Sequence, residues 1–184
     1  MTRRFFLLFF CFIAAAASVS AQSPTTVVIL VRHAEKAVTP VEDPPLTEAG
    51  VVRAYALASA LLHMNVQAVI VTELTRTRET ARPFAEANGV KIETVHTGGG
   101  EAHARAVAAA VRAHAGQTVL VVGHTNTIPA IIAELGGPKL PDICDSQYSG
   151  FYTLVLRGNK AELAISSYGA PSPDPATTCP KSMK

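Results

Sequence analysis

Two arginines and two histidines in this 184-residue chain stand where they could handle a phosphoryl group. Arg32 and His33 follow directly on the apolar, β-branched run TVVILV at positions 26–31. Arg76 comes five residues after the run AVIV at 68–71, and His124 follows TVLVVG at 118–123. Each guanidinium is permanently charged and offers a fork of donors that matches phosphate oxygens. One neutral imidazole can attack phosphorus while the other donates a hydrogen bond to the charge that develops. Arginines beside His33 should lower its pKa and favour the neutral, nucleophilic ring.

For these groups to converge, the runs that precede them must be neighbouring strands with their carboxyl ends along one edge, where ligands bind in open α/β sheets. The pattern along the chain supports this. A polar, Pro-rich loop at 32–45 leads to Thr47, which reads as an N-cap. The following helix carries Val51, Ala54, Tyr55, Ala58, Leu61 and Leu62 on its expected buried face. The strand at 68–71 is followed by a helix from near Thr75, which Pro83 should bend or interrupt and Asn88-Gly89 should end. Residues 91–95 read as a short strand, and 96–100 as a glycine-rich loop. The helix at 101–115 carries a stripe of Ala104, Val107, Ala108, Val111 and Ala115 and stops at Gly116. After the strand at 118–122 a helix at 126–135 is closed by Gly136-Gly137-Pro138, and residues 151–156 and 161–167 form a hairpin around Gly158-Asn159. Alternating strands and helices predict a three-layer α/β/α sandwich with a mostly parallel central sheet.

Residues 1–21 read as a secretory signal peptide: Arg3 and Arg4, an apolar core, then Val19-Ser20-Ala21 before a cut. The apolar run is short for a spanning helix. The expected location is periplasmic or secreted. Two of the sixteen Lys and Arg residues leave with the leader, so fourteen cations face fourteen Asp and Glu in the rest of the chain. With no basic stripe and no interleaved aromatics, a nucleic-acid role is unsupported, and no membrane association is expected after cleavage. Residues 22–170 form the expected catalytic domain, followed by a Pro/Ser/Thr-rich tail at 171–184. Of the cysteines outside the leader, Cys144 and Cys179 are expected to form one disulfide, with two separate thiols as the alternative.

The site residues lie within four longer motifs: Val31-Arg32-His33-Ala34-Glu35, Leu46-Thr47-Glu48-Ala49-Gly50, Thr72-Glu73-Leu74-Thr75-Arg76-Thr77-Arg78-Glu79-Thr80-Ala81 and Val122-Gly123-His124. In this order, over roughly residues 27–132, they resemble the histidine phosphatase superfamily in its phosphoglycerate mutase-like branch. The resemblance implies a phosphoglycerate mutase-like fold and a transiently phosphorylated His33. Arg32 and Arg76 would hold the phosphoryl oxygens, with His124 completing the pocket. Thr47 and Gly50 match a helix-start motif and read as structural. Arg53 reads as solvent-facing, and Arg78, two residues beyond Arg76, should point away from the site.

The chain departs from that pattern in two places. Mutases of the branch carry a Ser-type residue and an asparagine after the nucleophile, where Glu35-Lys36-Ala37 stand here, and the loops are too short to grip a reorienting sugar phosphate. That favours hydrolysis. Acid phosphatases of the superfamily carry Asp after the second histidine, where this chain has Thr125. Glu101, at a loop-to-helix junction, is then the candidate general acid, the competing role being a helix N-terminal carboxylate. His63 and His114 read as groups that satisfy helix-end carbonyls. His96 and His103 flank the glycine loop and could line the pocket, but their spacing is not that of a metal site. No metal and no cofactor are expected. The reading is an exported phosphomonoesterase acting on a small-molecule phosphomonoester or another phosphorylated substrate through His33. Its alternatives are a phosphomutase and a non-catalytic module that binds a phosphorylated ligand. The sequence does not set the oligomeric state.

Overall fold

The computed structural model describes residues 24–173; residues 1–21, expected to be a leader, and Cys179 lie outside them, as does most of the expected tail. Ten elements alternate as the sequence pattern requires: β1 (Thr26–Arg32), α1 (Glu48–Ala60), β2 (Val66–Val71), α2 (Thr75–Asn88), β3 (Ile92–Thr94), α3 (Gly100–Ala113), β4 (Thr118–Gly123), α4 (Thr127–Glu134), β5 (Gly150–Arg157) and β6 (Lys160–Ser167). They form one six-stranded sheet in the order β3-β2-β4-β1-β5-β6. β1, β2, β3 and β4 pair in parallel, and the β5–β6 hairpin closes the other side with antiparallel pairings. The sheet is therefore mixed, with β5 the one strand that runs against the rest.

Period-two alternation in the central strands sorts the core onto two faces. Val28, Leu30, Ile70, Val119 and Val121 pack with Val107 and Val111 of α3 and Ile128, Ile131 and Ile132 of α4. Ile29, Val31, Val69, Val71, Leu120 and Val122 pack with Leu57 and Leu61 of α1 and Phe84 of α2. This is the three-layer sandwich expected from the sequence. Burial on both faces explains why these strands read as continuous apolar runs instead of alternating ones.

Three local expectations are corrected. The buried face of α1 is Gly50, Arg53, Ala54 and Leu57, while Val51, Tyr55 and Leu62 are 42%, 62% and 63% exposed. The helix is turned so that Arg53 reaches an acidic partner and Gly50 lies against the loop after β1. Pro83 does not interrupt α2, which runs unbroken through it; burial of Ala81, Phe84 and Ala85 holds the turns on either side. In α3 the stripe ends at Val111, because the helix stops at Ala113 and leaves Ala115 exposed. Among the described residues no helix is long and apolar enough to cross a membrane.

Candidate active site

Parallel pairing sets the carboxyl ends of β1 and β4 side by side, with Arg32 opposite Gly123. The next residue on each strand is a histidine. The His33 amide donates to the Gly123 carbonyl at 2.9 Å, and the two imidazoles lie edge to face with centroids 5.4 Å apart. Gly123 lets α4 lie close to the strand end: a Cβ there would stand 2.9 Å from both Ile128 Cδ1 and Thr127 Oγ1, so a larger residue would force these side chains to shift. Thr127 Oγ1 in turn accepts the His124 amide at 2.8 Å.

His33 is 4% exposed. Its Nδ1 lies 2.8 Å from the Ala34 carbonyl, which can only accept, so Nδ1 carries the proton and the neutral ring presents Nε2 as its free base. Burial pushes the His33 pKa down to about 3; the Ala34 carbonyl opposes this, while Arg32, His124 and Arg76 add to it. The loop holding the ring is fixed by Thr80, whose hydroxyl accepts the Ala34 amide at 2.9 Å and donates to the Arg76 carbonyl at 2.7 Å. One side chain thereby sets the register between His33 and the first turn of α2.

Arg32 is equally buried, at 4% exposed. Its Nη1 donates to the carbonyls of Cys144, Asp145 and Gln147 at 3.1, 2.8 and 3.1 Å. Its guanidinium lies 4.1 Å from the centre of the Tyr148 ring, and Nη2 is 3.6 Å from the exposed Asp145 carboxylate. Burial lowers the pKa of Arg32, opposed by Tyr148 and Asp145. Burial also lowers that of Arg76, with Asp43 opposing and Arg32 adding to the shift. The Nε atoms of both arginines are buried without a hydrogen-bond partner, leaving donors available to an anion. His124 Nε2 is 3.3 Å from Thr72 Oγ1. Burial, then Arg76, His103 and Arg32, push its pKa down to about 4, with Glu73 opposing.

The four residues named from their types thus gather at one sheet edge. Glu101 is not brought to them: it stands on the first turn of α3 with its side chain 93% exposed, 3.4 Å from Arg105 one turn on. Another acid, Glu73, interacts electrostatically with His124. Its carboxylate takes the Thr97 amide at 2.8 Å and a short bond from the Thr97 hydroxyl. Burial would raise its pKa, but the two Thr97 bonds outweigh it and hold the group at about 2, so Glu73 is ionised at neutral pH.

Arg53 does not face water. It is 5% exposed and grips the Glu35 carboxylate through Nε and Nη2 at 2.7–2.9 Å, while Nη1 donates to the carbonyls of Tyr168 and Ala170. His103 is buried, with Nδ1 3.0 Å from the His96 carbonyl and Nε2 unpartnered. His63 is exposed, and His114 bonds Gln117 and Glu93 side chains instead of helix-end carbonyls. Cys144 is disulfide-bonded, but Cys179, its expected partner, lies outside the described residues. Tyr148 and the carbonyls around it were not found from sequence. They sit in a loop without motif or periodicity, and main-chain acceptors leave no mark on side-chain identity.

Residues 28–97 match the family profile described as histidine phosphatase superfamily (branch 1). No curated protein matches the chain at a significant level. Among solved structures, a protein described as a candidate phosphohistidine phosphatase SixA from Nakamurella multipartitia is 26% identical, with 82% of this chain and 98% of that one covered and a TM-score of 0.56. The protein histidine phosphatase SixA complexed with tungstate is 18% identical, covering 77% and 96%, with a TM-score of 0.62. A phosphoserine phosphatase from Entamoeba histolytica, in complex with 3-phosphoglyceric acid, is 16% identical, covering 79% and 97%, with a TM-score of 0.56.

Proposed function

We propose that this chain, whose residues 28–97 match the histidine phosphatase superfamily (branch 1) profile, is an exported phosphomonoesterase of that kind working through a phosphohistidine at His33. The observation that carries this reading is a neutral His33, with Nε2 free, beside two arginines that keep unpaired buried donors. In the first step the Nε2 lone pair forms a bond to phosphorus as the ester P–O bond breaks, and the electron pair leaves with the alcohol oxygen. Arg32, Arg76 and His124 stabilise the charge on the three equatorial oxygens without reorganising water. In the second step water attacks the phosphohistidine, releasing inorganic phosphate and returning the proton balance to solvent.

The leaving oxygen takes its proton from water in this scheme. Glu101 faces solvent beside Arg105, and Glu73 is held ionised by Thr97. Esters of acidic alcohols should therefore turn over fastest. The reaction needs no metal: the two fixed guanidinium groups supply the positive charge. Export rests on the leader-like residues 1–21.

The deciding experiment is an acid-sensitive one. Reaction with labelled nitrophenyl phosphate, trapped at high pH, should leave a base-stable, acid-labile phosphoryl group on the peptide containing His33. His33→Ala should be folded and inactive, and excess chelator should leave the wild-type rate unchanged. Activity in His33→Ala, or its loss with chelator, refutes the mechanism. N-terminal sequencing of the protein recovered outside the cytoplasm should begin at Gln22.

A further inference from the structure

The scheme above leaves an ionised carboxylate, Glu73, without a task beside the phosphoryl pocket. Its place follows from the strand order. Across the sheet from β1 through β4 and β2 to β3, the carboxyl ends deliver His33, then His124, then Thr72 and Glu73, then His96 and Thr97. Thr72 Oγ1 is 3.3 Å from His124 Nε2, and Glu73 is the next residue. At about 4.8 Å per strand, β2 stands about 10 Å from β1.

A leaving group carried on phosphorus at His33 has room in that direction. On the β5 side the pocket is closed: Tyr148 covers the Arg32 guanidinium at 4.1 Å and lies 6.4 Å from the His33 ring. Over the first turn of α2 the loop after β1 is tied down, by Asp43 to Thr75 at 2.6 and 2.8 Å and by Leu46 to Glu79 at 2.7 Å. The β3 side is low. Residues 96–100 are all exposed, and a Cβ on Gly98, Gly99 or Gly100 would meet nothing within 4 Å.

Glu73 has binding capacity left on this side. Thr97 occupies each carboxylate oxygen once, an ionised carboxylate accepts about four hydrogen bonds, and the side chain is 30% exposed. Among the described residues it has no Lys or Arg partner, and His96 Nδ1, at 3.9 Å, is beyond hydrogen-bond reach. Holding Thr97 does not require the charge: a glutamine could take the Thr97 amide on its carbonyl and offer its NH₂ to the hydroxyl. Nor is the charge spent on the pocket. The carboxylate that acts on Arg76 is Asp43, and the pull of Glu73 on His124 is outweighed by burial and the arginines. A fixed negative charge also repels an incoming phosphoryl group, so a structural role accounts for the position of Glu73 but not for its charge.

We propose that Glu73 selects the substrate of this site, a phosphomonoester whose alcohol carries a cationic amine. The inference rests on the phosphatase reading and narrows its substrate class. With the phosphoryl group on Arg32 and Arg76, an ammonium on the leaving group would donate a charge-assisted hydrogen bond to Glu73. A carboxylate in the same place would be repelled.

The test compares kcat/KM for two esters of small alcohols, ethanolamine phosphate and glycolate phosphate, on the full chain. The wild type should favour the amino ester at least about tenfold, and Glu73→Gln should reduce that ratio about tenfold. Comparing the ratio between the two proteins cancels the different acidities of the alcohols. N-acetylation of ethanolamine phosphate removes the cation and should cost the wild type a similar factor, a readout that needs no variant. Circular dichroism of Glu73→Gln should match wild type. The proposal is overturned if the wild type turns over nitrophenyl phosphate yet shows no preference for the amino ester. It is also overturned if acetylation costs nothing, or if a folded Glu73→Gln keeps the full preference. No turnover of any ester, nitrophenyl phosphate included, refutes the phosphatase reading itself and this inference with it.

Discussion

Acidification should expose how much folding free energy is committed to keeping His33 neutral. The folded pKa of about 3 lies below the ordinary 6.5 of the unfolded chain. The unfolded state therefore binds the extra proton between those values. The His33 contribution is fully retained above pH 6.5 and is lost progressively as pH falls toward 3. At pH 5 an unfolded histidine is almost wholly protonated and the folded one is not, which costs about 2 kcal/mol relative to pH 8. His33 is 4% exposed, so solvent screening takes little from that figure. The pH window avoids the carboxylates with lowered pKa, Glu73 and Asp43, whose effects begin below their ordinary values of 4.5 and 3.8. Urea unfolding of wild type and His33→Asn at pH 8, 6.5 and 5, in phosphate-free buffer, isolates the effect. The stability gap between the two proteins should move by about 2 kcal/mol against the wild type across this range. A gap that stays constant to within about 0.5 kcal/mol, the level at which surface substitutions are indistinguishable, would show that His33 is not a buried neutral base.

Arg76→Ala should lower kcat/KM for nitrophenyl phosphate by about 10²–10³-fold, the usual loss on removing one preorganised donor, with an unchanged circular dichroism spectrum; steady-state kinetics decide it. Gly50→Ala should destabilise the fold by about 1–3 kcal/mol, read from the urea midpoint, because its Cβ would stand 2.2 Å from the Glu35 carbonyl oxygen. Glu101→Gln should leave the ratio of alkyl to nitrophenyl phosphate turnover within about twofold of wild type. A general acid contributes about 10²–10⁴-fold, so a tenfold drop in that ratio would restore Glu101 to the proton-donor role.

The layered architecture was legible because buried parallel strands leave unbroken apolar runs, and β1, β2 and β4 are such runs. Arg32, His33, Arg76 and His124 were legible because each follows one of these runs at the end where a parallel sheet gathers its ligands. The rotation of α1 was not legible. Val51, Tyr55 and Leu62 are apolar at helical spacing, and hydrophobicity alone assigns them inward. What turned the helix was the pairing of Arg53 with Glu35, a contact eighteen residues apart in sequence that no periodicity encodes. The same holds for Glu101. Its place at a helix start was read correctly, but the direction of its side chain depends on Arg105 and on open solvent. The antiparallel pairing of β5 with β6 came from the Gly158-Asn159 turn, a local signal, whereas the place of β5 beside β1 and its direction against that strand had none.

The grip on Arg32 has a consequence for when this protein becomes competent. Arg32, His33, Arg76 and His124 all precede residue 125, yet the carbonyls that aim Arg32 lie 112, 113 and 115 residues further along the chain. Arg53 likewise reaches 115 and 117 residues ahead to the segment after β6. Closing such long loops is slow and comes at the end of ordering. A chain that has folded through β4 carries every motif of the site and still leaves Arg32 without its anchor. Under the phosphatase reading proposed above, turnover measures completed closure and is sensitive to damage near the C-terminus that leaves Arg32, His33, Arg76 and His124 untouched.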